Sequence, residues 1–181
     1  MDTPPNGWRK SAIHPRRQWP KEVRDFVPWL EANIGLLGAV LGRELTVVAR
    51  ERTRWETTDI RPDLVVQSMD GELVLIEAQL GRTDNRHLGQ LLVYAAAGGF
   101  SQVVWVIADM SDLPAVDPNH ARAVALLDKA LSPFGIRLAI VEATVETDWL
   151  PPDVDPDDFQ PTPRLRLVDL TSAQLPRYDY R

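Results

Sequence analysis

The sequence predicts an α/β fold in which a mixed β-sheet is flanked by helices. Two short apolar segments joined by a turn at Met69, Asp70 and Gly71 indicate a β-hairpin. Residues 102 to 108 are nearly all apolar, as expected of a strand covered on both faces. Helical patterns precede and follow that strand, which predicts a β-α-β unit of parallel strands beside the antiparallel hairpin.

Each element follows from its own pattern. Apolar residues at helical spacing, with Pro28 in the first turn and Gly42 at the end, predict the first helix. Thr83 or Asp84 can cap the second helix, which ends at two glycines. The predicted bounds, in chain order, are a helix over about 26 to 41, strands over about 44 to 56, 63 to 68 and 72 to 79, a helix over about 84 to 97, a strand over about 102 to 108, a helix over about 119 to 132, a strand over about 136 to 145 and an edge strand near 165 to 168.

We expect one folded core between two segments of different composition. Residues 1 to 25 hold four prolines and six Lys or Arg against three acids, and they read as a basic, proline-rich arm. The core is predicted over residues 26 to 147. Residues 148 to 181 begin with an acidic, proline-rich loop and end with the edge segment.

Composition excludes several classes of site. The chain has 181 residues and no cysteine, so disulfides, thiolate zinc sites and cysteine nucleophiles are excluded. No apolar run approaches the roughly 18 residues of a membrane span, so we expect no membrane association and a cytoplasmic location. A net charge of -6 disfavours a strongly basic nucleic-acid binder, although the arm is positive.

Three polar residues at the ends of the hairpin strands are candidates for chemistry. Glu77 and Gln79 lie on one face of their strand, because side chains alternate with period two. Asp63 joins that face only if the turn is a three-residue loop that pairs Ser68 with Glu72. A two-residue loop places Asp63 on the opposite face.

Two facing carboxylates repel each other unless they share a proton or a cation, so this register favours a bound ion. Hard divalent cations take carboxylate and carbonyl oxygens, and they can activate water for phosphodiester hydrolysis. The alternative is that Asp63 is an ordinary turn residue and that Glu77 and Gln79 lie on a solvated strand face.

The hairpin and the helix after it resemble the PD-(D/E)XK nuclease superfamily. Pro62 and Asp63, followed by Glu77, Ala78 and Gln79, resemble its Pro-Asp and Glu-x-Lys motif, with glutamine where lysine is usual. The segment 83 to 95 is similar to a Thr-Asp-x-x-His-Leu-Gly-x-Leu-Leu-x-Tyr-Ala helix of bacterial members, and the resemblance covers about residues 26 to 145. It implies a restriction-endonuclease-like fold.

The resemblance also implies roles for residues of this chain. Asp63, Glu77 and the carbonyl of Ala78 would hold Mg²⁺ or Mn²⁺, and Gln79 would stand at the lysine position. Glu31 matches an acidic residue of the opening helix. Because an amide is neutral, Gln79 can orient a water or a phosphate but cannot neutralise its charge.

Further polar residues follow the hairpin. His87 and Gln90 are three residues apart on one helical face and can turn towards the sheet, where His87 would supply some of the lysine chemistry. Alternatively, His87 only hydrogen-bonds to Asp84 or to the backbone. We expect arginines to contact phosphates, and the candidates are Arg82, Arg86, Arg16 and Arg17.

The function implied is a metal-dependent endonuclease acting on DNA in bacterial defence or repair, and a homodimer is expected. The alternative function is a nuclease-like domain with impaired catalysis that binds nucleic acid or another protein. Gln79 in the lysine position and the acidic net charge motivate this alternative.

Overall fold

A six-stranded mixed sheet forms the centre of the protein. The computed structural model describes residues 7–8, 11–50, 60–110, 114–147, 149–153, 155 and 161–171. The strands are β1 (Leu45–Arg50), β2 (Leu64–Ser68), β3 (Leu73–Leu80), β4 (Gln102–Ala108), β5 (Arg137–Glu146) and β6 (Thr162–Leu167). They lie in the order β1-β2-β3-β4-β5-β6, with β3, β4 and β5 parallel and the remaining pairs antiparallel. The predicted α/β fold with a mixed sheet is therefore confirmed.

Helices cover both faces of this sheet. They are α1 (Pro15–Gln18), a π-helical turn (Glu22–Phe26) that continues as α2 (Val27–Ala32), α3 (Ile34–Leu41), α4 (Asn85–Ala97) and α5 (Pro118–Leu131), followed by a short 3₁₀ turn (Ser132–Phe134). One apolar layer contains α2 and α3 residues together with Val74, Ile76 and Val104. The other contains α4 and α5 residues together with Leu75 and Trp105. Within the described residues, no helix is long and apolar enough to cross a bilayer.

The hairpin has the register that a three-residue loop requires. The N–H of Ser68 donates to the carbonyl of Glu72 at 2.9 Å, and Leu64 lies opposite Ile76. Gly71 has φ 83°, the left-handed conformation that a loop of this length needs and that glycine adopts without strain. The loop prediction is correct, and it brings Asp63 to the end of β3 where Glu77 lies.

The first helix differs from its prediction over 26 to 41. It begins earlier, with a π-helical turn at Glu22, and Pro28, which has no N–H to donate, lies in the first turn of α2 where that turn ends. It is interrupted at Asn33, whose side-chain amide donates to the carbonyl of Trp29 at 2.8 Å and competes with the helical bonding of the backbone. The strand predicted over 44 to 56 is described only to Arg50, and residues 51–59 lie outside the described part.

From residue 11 onward, the segment expected to be an arm packs on the sheet. Ile13 donates its N–H to the carbonyl of Val145 at 2.8 Å, and Thr147 donates to the carbonyl of Ser11 at 2.9 Å. Trp19 is buried against Phe26, with 4.7 Å between ring centroids. Buried apolar side chains offset the low intrinsic order of a proline-rich segment, so α1 becomes part of the core.

Candidate active site

An open cleft of about 360 Å³ lies at the end of β3 that β2 does not cover. The β2–β3 ladder ends at the pair Leu64 and Ile76, so the last residues of β3 expose one backbone edge to this cleft. Its lining is mostly charged or polar and consists of Glu22, Val23, Arg61, Asp63, Glu77, Arg86, His87 and Gln90. Of the site residues predicted from the sequence, the fold therefore brings together Asp63, Glu77, Arg86, His87 and Gln90.

Asp63 binds the exposed edge of β3. Because β2 begins one residue later, it does not pair with the N–H of Ala78, and the Oδ2 atom of Asp63 accepts this N–H at 2.7 Å. Buried backbone donors need a partner, and an aspartate directly after Pro62 supplies one here. The hydrogen bond fixes one carboxylate oxygen of Asp63 at the base of the cleft.

Glu77 is a buried carboxylate with an unsatisfied oxygen. Its exposure is 5%, and its Oε2 atom has no hydrogen-bond partner among the described residues. Burial, assisted by the negative charge of Asp63, raises the pKa of Glu77 to about 8, while a hydrogen bond from Tyr94 opposes the shift. A buried carboxylate needs a compensating proton or cation, so Glu77 is the polar group of the cleft that most needs a ligand.

The edge of β3 presents a row of backbone groups between side chains. The N–H of Leu80 donates to Oε2 of Glu22 at 2.7 Å, and the carbonyl of Leu80 accepts Nη2 of Arg16 at 3.0 Å. In an extended strand the N–H and C=O of one residue point towards the same neighbour. The carbonyl of Ala78 therefore faces this edge between the carboxylates of Asp63 and Glu22.

Gln79 does not line the cleft. Its Nε2 atom donates to the carbonyl of Arg82 at 2.6 Å and to Oδ2 of Asp84 at 2.9 Å. Its Oε1 atom accepts the indole N–H of Trp105 at 3.1 Å. These bonds engage both ends of the amide, so the residue at the lysine position is held inside the protein.

His87 and Gln90 both reach the cleft from α4. Asp84 caps the helix by accepting the N–H of His87 at 2.9 Å, and the Nδ1 atom of His87 lies 2.9 Å from both carboxylate oxygens. The predicted bond between His87 and Asp84 is thus present, and His87 lines the cleft as well. Gln90 donates to the hydroxyl of Tyr94 at 3.4 Å, and its own Oε1 is buried and unsatisfied within the described part of the chain.

The four arginines predicted to contact phosphates take different positions. Arg86 lines the cleft, and Arg16 holds the end of β3. Arg82 donates to the carbonyl of Pro114 at 3.0 Å and faces Asp117 at 3.6 Å, so its guanidinium points to the segment before α5. Arg17 is exposed on α1 and does not line the cleft.

One acidic residue predicted from the sequence lies outside the cleft lining, and sequence reasoning missed two residues of that lining, one acidic and one basic. Glu31 lies near the end of α2 and is not among the residues that line the cleft, whereas Glu22 is. The helical spacing of Val23, Phe26 and Leu30 was the signal that the helix starts early enough to include Glu22. Arg61 was also missed, although it directly precedes Pro62.

The cleft fits a divalent cation only in part. In the described segments, no three His, Asp or Glu side chains are clustered closely enough to hold an ion. The carboxylates of Asp63 and Glu77 and the edge carbonyl of Ala78 are hard oxygen donors in one place, and one buried oxygen of Glu77 has no partner among the residues that the structure describes. An ion bound by so few protein ligands would retain several waters, as Mg²⁺ commonly does.

A second cavity of about 730 Å³ adjoins the cleft. It shares Arg61, Arg86 and Gln90 with the cleft, and its other walls are more apolar, with Val93 and Tyr94 on α4. The two cavities together form a groove that runs from the carboxylates along α4.

Comparison with known proteins finds similarity in structure only. No protein-family model and no curated protein sequence matches the chain. Its fold is similar to that of a repair endonuclease from Pyrococcus abyssi, at 16% identity over 59% of this chain and 43% of that one, with a TM-score of 0.39. It is also similar to the structure of an EndoMS–dsDNA complex, at 14% identity over 72% of this chain and 44% of that one, with a TM-score of 0.40. The chain spans less than half the length of either protein.

Proposed function

We propose that the chain is a metal-dependent endonuclease that hydrolyses DNA phosphodiester bonds in this cleft. The observation that carries the proposal is the buried carboxylate of Glu77, which has an oxygen unsatisfied by any described residue, beside Asp63 in an open cleft with arginines in its wall. A surface ion pair has no need of such an arrangement. A site for a cation and an anionic substrate does.

The protein ligands for the ion would be Asp63, Glu77 and the carbonyl of Ala78. A divalent cation at this place supplies Lewis-acid polarisation of the phosphate and activation of water. Asp63 is already oriented by the N–H of Ala78, so one of its oxygens needs no reorganisation. Glu77 would have to give up its proton to hold a cation, since its pKa of about 8 leaves it mostly protonated at neutral pH.

The two arginines of the cleft would hold the phosphate. Arg61 and Arg86 both line the cleft and the adjoining cavity, so a strand lying along the groove would meet both guanidinium groups. Arginine binds phosphate oxygens through paired N–H donors, and this local charge offsets the acidic balance of the whole chain.

His87 is the group placed to handle a proton. Hydrolysis adds water across one P–O ester bond, so the attacking water must lose a proton and the leaving oxygen must gain one. Asp84 engages Nδ1 of His87, which leaves Nε2 of the same ring to serve the cleft.

A cleavage assay tests the proposal. Plasmid and single-stranded DNA are incubated with the purified protein and Mg²⁺ or Mn²⁺, and the variants Asp63→Asn and Glu77→Gln are compared with wild type. Loss of the ion removes several kcal/mol of transition-state stabilisation, so both variants should be slower by about a thousandfold. Glu72→Gln is the matched control, because Glu72 pairs with Arg43 on the surface of the hairpin. Cleavage that persists in Glu77→Gln would overturn the assignment.

A second candidate function is a nuclease-like subunit that binds nucleic acid without cutting it. The engaged amide of Gln79 favours it, because no cation from the lysine position reaches the cleft. Under this alternative, DNA binding measured by fluorescence anisotropy is the same in Mg²⁺ and in EDTA, and no cleavage is seen with either ion.

A further inference from the structure

Gln79 is the residue at which this chain departs from the lysine of the motif, and its surroundings give it a different task. Its side chain is 5% exposed and makes three hydrogen bonds. To point its amide into the cleft, it would have to leave the indole N–H of Trp105 and the carbonyl of Arg82 without their partner. Abandoning each such group costs about 1–3 kcal/mol, so the observed orientation is strongly favoured.

The hydrogen bond from Gln79 to Asp84 connects it to the cleft. Oδ2 of Asp84 accepts a hydrogen bond from Nε2 of Gln79, and Oδ1 accepts one from the backbone N–H of His87. Nδ1 of His87 lies 2.9 Å from both oxygens. Although partial burial opposes it, the bonds from the backbone and the ring of His87 lower the pKa of Asp84. An ionised carboxylate only accepts hydrogen bonds, so Nδ1 of His87 carries the proton and Nε2 is the atom available for chemistry.

One face of the His87 ring also packs against an aromatic side chain. It stacks on Trp105, with 6.3 Å between centroids and 25° between planes. The same indole donates its N–H to Gln79 at 3.1 Å. Trp105, Gln79, Asp84 and His87 thus form a closed set of contacts in which each member fixes the next.

Asp84 needs this support because about half of its side chain is exposed. Its exposure is 46%, compared with 14% for His87. A half-exposed carboxylate can rotate towards solvent, and the bond from the buried amide of Gln79 opposes that rotation.

We propose that Gln79 is a positioning residue that acts through Asp84, holding the imidazole of His87 with Nδ1 protonated and Nε2 presented to the cleft. The inference deepens the proposed nuclease function and depends on it for its catalytic part. A histidine on α4 then performs the proton handling, and the residue at the motif position orients that histidine without touching the substrate.

The first test observes the ring itself and requires no activity. Two-bond ¹H–¹⁵N spectra of the full-length protein report which nitrogen of His87 is protonated, and His87→Asn assigns the signals. Wild type should show the Nδ1–H form. Gln79→Met keeps the length of the side chain but removes the amide, so it should shift the ring towards the Nε2–H form.

The second test separates a positioning role from a structural one by kinetics. With Mg²⁺ and an oligonucleotide substrate, Gln79→Met should lower kcat by about 10- to 100-fold, as expected for a residue that orients a functional group, and leave KM unchanged. Gln102→Met is the matched control, since Gln102 is a buried glutamine at the start of the neighbouring strand β4 and lies outside the cleft lining. Thermal unfolding of both variants shows whether each is folded.

The outcomes distinguish this inference from the proposed function. An unchanged tautomer in folded Gln79→Met, or a kcat equal to that of Gln102→Met, overturns the inference and leaves the nuclease function intact. A wild-type protein that cuts no DNA with either ion overturns the nuclease function and the catalytic part of this inference. In that case, the tautomer shift still decides whether Gln79 orients His87.

Discussion

Glu77 and Gln79 occupy neighbouring positions on the same face of β3, yet their environments are opposite. Both residues are 5% exposed, but Glu77 has an oxygen without a partner in the described part of the chain, whereas both ends of the Gln79 amide are bonded. Two residues with equal places in a sequence motif therefore have different chemistry. An unsatisfied buried group marks where a ligand is needed, and a fully bonded one marks a structural support.

Cation binding should separate the two positions most strongly. We predict that Glu77→Gln weakens Mn²⁺ binding, measured by calorimetry, by more than about a hundredfold, a loss beyond that of most outer-shell changes. Gln79→Met should bind Mn²⁺ within about twofold of wild type, because the amide of Gln79 is bonded to Arg82, Asp84 and Trp105 and does not line the cleft of Asp63 and Glu77. Between about pH 6 and pH 7 the affinity of wild type should rise about tenfold, and the rise should level off near pH 8, since Glu77 must lose a proton. Equal losses in the two variants would show that Gln79 belongs to the ion site.

Without metal, removing the carboxylate of Glu77 should stabilise the folded protein. The pKa of Glu77 is raised from 4.5 to about 8 in the folded protein, so the folded state holds a proton that the unfolded state releases in this range. Stability must therefore fall as pH rises from about 4.5 to about 8, and Glu77→Gln should abolish this slope and add on the order of 3 kcal/mol at the upper end. Urea unfolding in EDTA at several pH values measures it. Glu44→Gln, which changes an exposed residue before β1, should keep the wild-type slope.

The hairpin could be predicted from sequence because local rules determine its register. Gly71 selects the three-residue loop, and alternation then places Asp63, Glu77 and Gln79 on one face. The sequence also indicated α4 and the bond between Asp84 and His87, since capping residues stand next to the helix they cap.

Other hydrogen bonds of the site could not be predicted, because they join residues far apart in the chain. Glu22 reaches Leu80, 58 positions away, and Trp105 reaches Gln79 across 26 positions. Whether Gln79 faces the cleft or the interior depends on these partners, which strand periodicity does not reveal. Glu31 was predicted because it matches an acidic residue of the opening helix that the sequence resembles, and that match does not reveal the contact between Glu22 and Leu80.

Substitution of Arg86 and of Arg82 should differ in effect on DNA binding, but by less than the changes at Glu77 and Gln79. Arg86→Gln should raise KM for DNA by about tenfold and reduce the slope of binding against salt concentration by about one, as expected for one lost phosphate contact. Arg82→Gln is the matched control on the neighbouring turn, because its guanidinium is held by Pro114 and Asp117. Equal salt slopes in Arg86→Gln and wild type would exclude Arg86 from the phosphate path.

Placing at position 79 the lysine of the motif that the sequence resembles should have the smallest effect on cleavage. In Gln79→Lys the ammonium group can still donate to Asp84 and to the carbonyl of Arg82, but it offers no acceptor to the indole of Trp105. His87 therefore keeps its orientation, and kcat should remain within about threefold of wild type, while stability falls by about 1 kcal/mol for the unpaired indole N–H. If the side chain at position 79 instead faces the phosphate, the added positive charge should raise kcat by tenfold or more, since about 1.4 kcal/mol of stabilisation suffices for that change. Measuring kcat for this single variant thus decides whether the motif position acts on the substrate or on His87.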